Sequence, residues 1–332
     1  MTETALTDAR RRIAPRPARE RIARHLEIAY GIAVRGLSEL DLGVYRVNRP
    51  DGPDWVARVF PAARPENAAA GDAEILRFLA THDFQSERGA SNEPVSVLDG
   101  QAVLLTEFVR GAARGDRAAA IRENGGLRRL GEMLGELHSL PPAGGAAARP
   151  GGAWHHLADG LPSDEVLAAR ALLADCEDRV GTADRAHYEQ LRRALAGADG
   201  GDGLPEALVH PDFVMANVIA SPDRGMVLVD WSGAGRGPRV WPLAFLLYAE
   251  AAKNPPRARL VVEGYRRRVN LEPEELDRIQ ALMPVRATVL AAWSFCLGRA
   301  SAERAAKSAA DARALADAVG PLAARALRQG AS

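Results

Sequence analysis

Hydrophobic positions alternate early in the chain and recur at helical spacing later. Leu42 to Asn48 and Trp55 to Phe60 are short β-prone runs, separated by the turn-forming Arg49-Pro50-Asp51-Gly52-Pro53. From Glu66 to Thr81, Ile75, Leu76 and Leu79 form an apolar stripe that predicts a helix. Pro94 to Leu98, the pair Asp99-Gly100, and Ala102 to Val109 read as a hairpin with a two-residue turn. The first part of the chain is therefore strands wrapped around one helix. Further on, Leu127, Leu130, Leu134 and Leu137 mark a helix that stops at Pro141-Pro142. Two Pro/Gly/Ala-rich stretches, 141–153 and 196–203, read as linkers bracketing a helical pair, with Ser163 and Thr182 as candidate N-caps. After Asn270 the pattern is helical again and ends in an Ala/Arg-rich segment that reads as a surface helix. No internal repeat or heptad run interrupts this order.

Charge and composition narrow the function. The 332 residues carry 43 basic and 43 acidic side chains, which argues against a dedicated nucleic-acid binder. That length suggests two domains or one two-lobed unit. Two cysteines, Cys176 and Cys296, cannot build a disulfide framework, so a reducing, cytoplasmic setting is expected. Met1 to His25 lacks the apolar core of a signal peptide. The apolar run Val240 to Ala252 contains Pro242 and Glu250 and is too short to span a bilayer. Residues 1–20, with Arg10, Arg11, Arg12, Arg16 and Arg19 around two prolines, read as a flexible basic tail. The expected partner is a small molecule, neither nucleic acid nor membrane; the sequence leaves the oligomeric state open. Only two of the 43 basic residues are lysines, Lys253 and Lys307, and neither sits in a P-loop frame. A phosphate-binding cation in the first half must therefore be arginine.

The chemistry concentrates between Leu208 and Trp231. Two short β-prone runs flank the turn Ser221-Pro222-Asp223-Arg224-Gly225, which predicts an antiparallel hairpin. With the turn centre taken between Asp223 and Arg224, Asn217 and Asp230 are equidistant from it, so they face each other within a residue of register. Asp212 enters the first strand five residues before Asn217. A hard cation such as Mg²⁺ takes oxygen ligands, usually one or two carboxylates with substrate phosphates and water. Asn217 and Asp230 supply the protein share, and Asp212 stays free to accept a proton from an attacking hydroxyl. The order His-x-Asp-x-x-x-x-Asn, then an aspartate at a strand end, is that of a kinase catalytic loop and metal aspartate. Other features read as structural. Pro238 occupies the third glycine's place in the Gly233 to Gly237 run, which excludes a dinucleotide fingerprint. His155-His156 beside Trp154 make a poor ligand pair, and Glu272, Glu274, Glu275 and Asp277 read as a solvated helix start.

The segment HPDFVMANVIASPDRGMVLVDWSGAGRGP resembles the aminoglycoside phosphotransferase family, small-molecule kinases with a protein-kinase-like fold. The resemblance runs over roughly residues 30–300 and includes RRLGEMLGELHSL, the hinge-like LLTEFVRG and the strand DWVARVF. It implies a two-lobed α+β fold, with a β-rich nucleotide-binding lobe over 21–109 and a helical catalytic lobe over 110–332. It implies ATP and Mg²⁺ in the cleft, adenine on the hinge near Glu107 and Val109, and phosphates on Arg58. Asp72 or Glu74 would steady Arg58, Asp212 would be catalytic, Asn217 and Asp230 would hold metal, and His210 would support the catalytic loop. Two positions depart from the family pattern. The nucleotide-covering loop Gly36 to Gly43 is poor in glycine, and Pro242 stands where an aspartate is usual. The implied reaction moves the γ-phosphoryl group to a hydroxyl of a small molecule, an aminoglycoside-like antibiotic. The alternatives are a choline- or homoserine-like metabolite, or a nucleotide-binding regulator without turnover.

Overall fold

Buried and half-buried residues alternate from Trp55 to Val59, and that alternation decides how the first half packs. The computed structural model describes residues 16–111, 125–153 and 160–329. After helix α1 (Arg19–Tyr30), ended by Gly31 in the left-handed region, come β1 (Gly36–Asp41), β2 (Val44–Asn48) and β3 (Trp55–Val59). Helix α2 (Glu66–Thr81) and the hairpin β4 (Val95–Leu98) and β5 (Gln101–Glu107) complete one antiparallel sheet, ordered β1-β2-β3-β5-β4. One face buries Val47, Ala57, Val103 and Leu105 against Ile22 and Leu26 of α1. The other turns Leu104 and Ala102 toward α2 and the rest of the molecule. Leu98 pairs with Gln101, and Asp99 and Gly100 both take positive φ, as a primed two-residue turn demands.

The remainder is mostly helical: α3 (Gly126–His138), α4 (Pro162–Ala174), α5 (Arg185–Ala196), strands β6 (Glu206–Val209), β7 (Val218–Ser221), β8 (Gly225–Leu228) and β9 (Gly235–Pro238), then α6 (Val240–Ala251), α7 (Pro256–Tyr265), α8 (Pro273–Leu282), α9 (Val285–Cys296) and α10 (Ala302–Arg328). The structure thus has the two-lobed α+β architecture expected. α3 crosses α7 so closely that a Cβ on Gly131 would lie 2.0 Å from the Val261 carbonyl oxygen, and only glycine fits there. The segment after α2 joins the lobes. Glu87 N–H donates to Leu228 O at 2.9 Å and Leu228 N–H to Gln85 O at 2.9 Å, while Glu107 N–H donates to Arg88 O at 2.8 Å.

Several local expectations are corrected. Gly36 to Gly43 is not an open loop; β1 fills most of it, with a bulge between Glu39 and Asp41 where it pairs with β2. Arg19 and Glu20 belong to α1 and Arg16 Nε donates to Val59 O, so the tail ends before residue 16. The rest of it lies outside the described residues, as do Trp154, His155 and His156. Ser163 does not cap α4: Pro162 takes the first helical position and Asp164 accepts the Leu161 N–H at 2.7 Å. Thr182 opens a short 3₁₀ turn instead. Glu275 is fully buried, accepting two bonds from Arg239 and the Glu272 N–H. α10 is the surface helix expected, burying one face through Ala305, Ala309, Ala312, Ala316 and Ala323 while Arg304, Lys307, Asp311 and Arg325 stay exposed on the other. Among the described residues one stretch, Pro273–Cys296, is long and apolar enough to cross a membrane by length and composition, and 61% of its apolar window is buried inside the molecule. Pro242 sits in the first turn of α6, where a helix has no use for its missing N–H.

Candidate functional site

The β7–β8 hairpin brings the expected pair together by a route its symmetry did not predict. Val218 pairs with Leu228 and Ser221 with Gly225, so the turn centre is Asp223 and the residue opposite Asn217 is Val229. Val229 N–H donates to Asn217 O at 2.9 Å. The shift follows from a three-residue loop closed by Gly225 at φ 69°. A one-residue slip would turn Asp230 to the wrong face. Asp230 instead leaves the strand end in the left-handed region, φ 71°, and lines the same cleft as Asn217.

The loop ahead of β7 is held from beneath by a buried histidine. Asp212 N–H donates to His210 Nδ1 at 3.0 Å, which places the ring proton on Nε2, where it reaches Val229 O at 3.2 Å. The ring packs edge-on to Trp231, centroids 4.7 Å apart. Burial pushes the His210 pKa down to about 4, against smaller opposing effects of Asp230 and Asp212. Burial likewise lowers His138 to about 3. Between pH 6.5 and about 4 the folded protein therefore binds fewer protons than the unfolded chain, and stability is lost as pH falls through that window. The expected result is a melting temperature that drops on acidification from pH 6.5, with a shallower slope in His210→Gln; parallel slopes would refute the assignment.

Asp212 is one-third exposed and meets a cation that the sequence reading missed. Arg286 Nη1, from the start of α9, lies 2.6 Å from Asp212 Oδ1 and donates to Pro211 O at 3.0 Å. Its guanidinium lies 4.1 Å over the Phe245 ring of α6. The signal was available: Arg286 is a single charge within an apolar helix, and such a charge must find a partner when buried. Asn217 Nδ2 donates to Asp212 O at 2.9 Å, which leaves its Oδ1 for a cation.

Arg58 projects from β3 toward the hairpin, with Nη1 3.1 Å from Asp230 Oδ1. Burial works against its charge, but Asp230, Glu87 and the more distant Asp72 and Asp41 outweigh it and hold its pKa above the ordinary value. The expected pairing with Asp72 or Glu74 is corrected. Asp72 is fully buried and bonds Arg64, Arg149 and Gly233 N–H. Glu74 sits on the exposed face of α2 with Arg77. After Asp230, the carboxylate whose charge acts most on Arg58 is Glu87, whose Oε1 accepts the Asp230 N–H at 2.7 Å and whose Oε2 accepts the Thr106 hydroxyl at 3.0 Å. Burial, opposed by Arg58, pushes the Glu87 pKa up.

These groups border a cleft of about 300 Å³. Val44 and Val56 form its roof, Ala216, Ile219 and Val229 its floor, Glu107, Phe108 and Val109 its back, and Arg58, Asn217 and Asp230 its polar end. An apolar slot ending in one cation and oxygen donors suits a flat base carrying phosphates. Among the described residues no three His, Cys, Asp or Glu side chains cluster as a metal site. One amide and one carboxylate oxygen still fit Mg²⁺, which takes few protein ligands and completes its shell with phosphate and water.

The sequence model of the phosphotransferase enzyme family matches residues 34–282. No curated protein matches the chain by sequence. In fold it is similar to a spectinomycin phosphotransferase solved with ADP and spectinomycin, 13% identical, covering 92% of this chain and 99% of that one at a TM-score of 0.61. A choline/ethanolamine kinase family protein from Mesorhizobium loti is 17% identical, with 93% and 99% covered and a TM-score of 0.58. An amicoumacin kinase solved with AMP-PNP and Ca²⁺ is 16% identical, with 85% and 88% covered and a TM-score of 0.58. At these identities the likeness is one of fold.

Proposed function

The chain belongs to the phosphotransferase enzyme family and is a small-molecule kinase; from that premise we propose that it transfers the γ-phosphoryl group of ATP to a hydroxyl of a small acceptor. One observation carries this reading: Arg58, Asn217 and Asp230 end a single cleft, and Asp212 is tied to Asn217 by a 2.9 Å bond. Glu107 and Val109 offer main chain to the adenine; Glu107 N–H is already spent on Arg88 O, so its remaining partners are the other hinge groups. Arg58 binds the phosphates, with guanidinium N–H groups to spare beyond Asp230. Asn217 Oδ1 and Asp230 would hold Mg²⁺, which supplies charge neutralisation on the phosphates when bound. Asp212 orients the acceptor hydroxyl and takes its proton as the new O–P bond forms and the bond to ADP breaks.

A second reading of the acceptor, a hydroxylated metabolite in place of a polycationic antibiotic, is favoured by Arg286. Arg286 Nη1 lies 2.6 Å from Asp212 Oδ1, so a polycation approaching Asp212 meets a carboxylate whose charge is already neutralised. The test is a thermal-shift and ATP-consumption screen over aminoglycosides, other antibiotics, and hydroxylated metabolites with and without carboxylates. Bound ligands raise the melting temperature by mass action. ATP consumption should appear with one acceptor class and disappear in Asp230→Ala; Mg²⁺-dependent nucleotide binding with no acceptor turned over would make the chain a regulator.

A further inference from the structure

We infer that Glu87 is a positioning residue that sets the backbone of Asp230, and through it the metal and phosphate end of the cleft. This rests on the kinase reading above. Its side chain comes from the segment that joins the lobes, not from α2. Main-chain bonds on both sides of Leu228, at 2.9 Å each, fix that segment against β8. Only 7% of Glu87 is exposed, and both of its oxygens are engaged, one by the Asp230 N–H and one by the Thr106 hydroxyl. The carboxylate therefore cannot swing without leaving a buried donor unpaired.

What it holds is unusual. Among the described residues, three that are not glycine have positive φ: Asp83, Asp99 and Asp230. The first two lie exposed where α2 ends and in the β4–β5 turn, where such geometry is common. Asp230 stands at the end of a buried strand, and a strained backbone persists only where its surroundings fix it. Glu87 supplies that constraint through a charge-assisted bond to the strained residue's own N–H. Asp72 does the same three residues later, accepting the Gly233 N–H at 3.2 Å. Two carboxylates from the smaller lobe thus pin the segment carrying the metal aspartate at both ends. Arg58, 3.1 Å from Asp230, lies against the same arrangement and offsets the buried charge of Glu87. Asp72, bonded to Arg64, Arg149 and the Gly233 N–H, adds only a weaker attraction to Arg58 than Asp230 and Glu87 do.

The experiment compares wild type, Glu87→Gln, Asp230→Ala and the double variant. Binding of a fluorescent ATP analogue is titrated with Mg²⁺, and hydrogen exchange is followed on the peptide spanning residues 228–233. In Glu87→Gln the Mg²⁺ needed for half-saturation should rise about tenfold. Exchange at Asp230 should quicken, and adding Glu87→Gln to Asp230→Ala should change the Mg²⁺ dependence no further. Unchanged Mg²⁺ dependence, unchanged exchange, or additive effects in the double variant would overturn the inference, since a merely structural carboxylate would not couple to Asp230. If wild type binds no nucleotide with Mg²⁺, the kinase reading falls, and the exchange result alone decides whether Glu87 holds Asp230. Should Glu87→Gln not fold, Glu87→Asp keeps the charge, shortens the reach and makes the same comparison.

Discussion

Asp212→Asn is expected to lower kcat by about 10²- to 10⁴-fold, the range a positioned proton acceptor contributes, and to leave nucleotide affinity within about twofold. The split follows from which atoms do what. The cleft's polar end is made by Arg58, Asn217 and Asp230, and the Asp212 carboxylate takes no part in its lining. The bond that orders Asn217 goes to the main-chain oxygen of Asp212, which the substitution keeps. Asparagine also preserves an oxygen facing Arg286 Nη1, so the loop has no reason to collapse. What disappears is the negative charge that can take a proton. Steady-state kinetics with an acceptor found by the screen, beside calorimetric nucleotide binding, measures both halves. Turnover within about threefold of wild type would remove Asp212 from the chemistry.

Much of this site was legible because its parts are local in sequence. His210, Asp212, Asn217 and Asp230 fall within one hairpin and its approach, and turn residues announce that hairpin. The same locality explains the one-residue error in register. Placing the centre between Asp223 and Arg224 assumes an even loop, whereas Gly225 at positive φ closes a three-residue loop centred on Asp223. Asp99-Gly100 raised no such ambiguity, since a two-residue turn has one register.

Long-range partners were not legible. Glu87 lies 143 residues from the amide it holds, in a segment without helical or strand period, so nothing near it in sequence marks it. Helical spacing placed Asp72 on α2, but its partner Arg149 is 77 residues away in a stretch read as linker. Glu275 was misread for a related reason. A run of acids at a helix start is normally solvated, and only the arrival of Arg239 makes burial of one of them affordable. Local pattern sets elements and turns, whereas the pairing of buried charges depends on which elements meet.

The second large effect is on stability, and it separates two roles for α2. Asp72→Ala should destabilise the protein by about 3–5 kcal/mol, because it strands buried cations without their counter-charge. The Asp72 carboxylate is wholly buried between Arg64, 2.9 Å away, and Arg149, whose side chains are 5% and 7% exposed. Arg149 also donates to Ala68 O at 2.6 Å and Ala234 O at 2.9 Å, so it stays anchored beside the gap. The Gly233 N–H loses its acceptor as well. A fall in melting temperature of about 10 °C is expected for a loss of this size. Glu74→Ala, on the same helix, removes only an exposed pair with Arg77 and should cost about 0–1 kcal/mol. If Asp72 instead served chiefly to steady Arg58, its alanine variant would melt close to wild type and show a raised KM for ATP. Thermal unfolding of both variants, with KM for ATP measured on the folded fraction, tells these apart: a melting temperature unchanged by Asp72→Ala would mean that α2 is not locked to the larger lobe through this carboxylate.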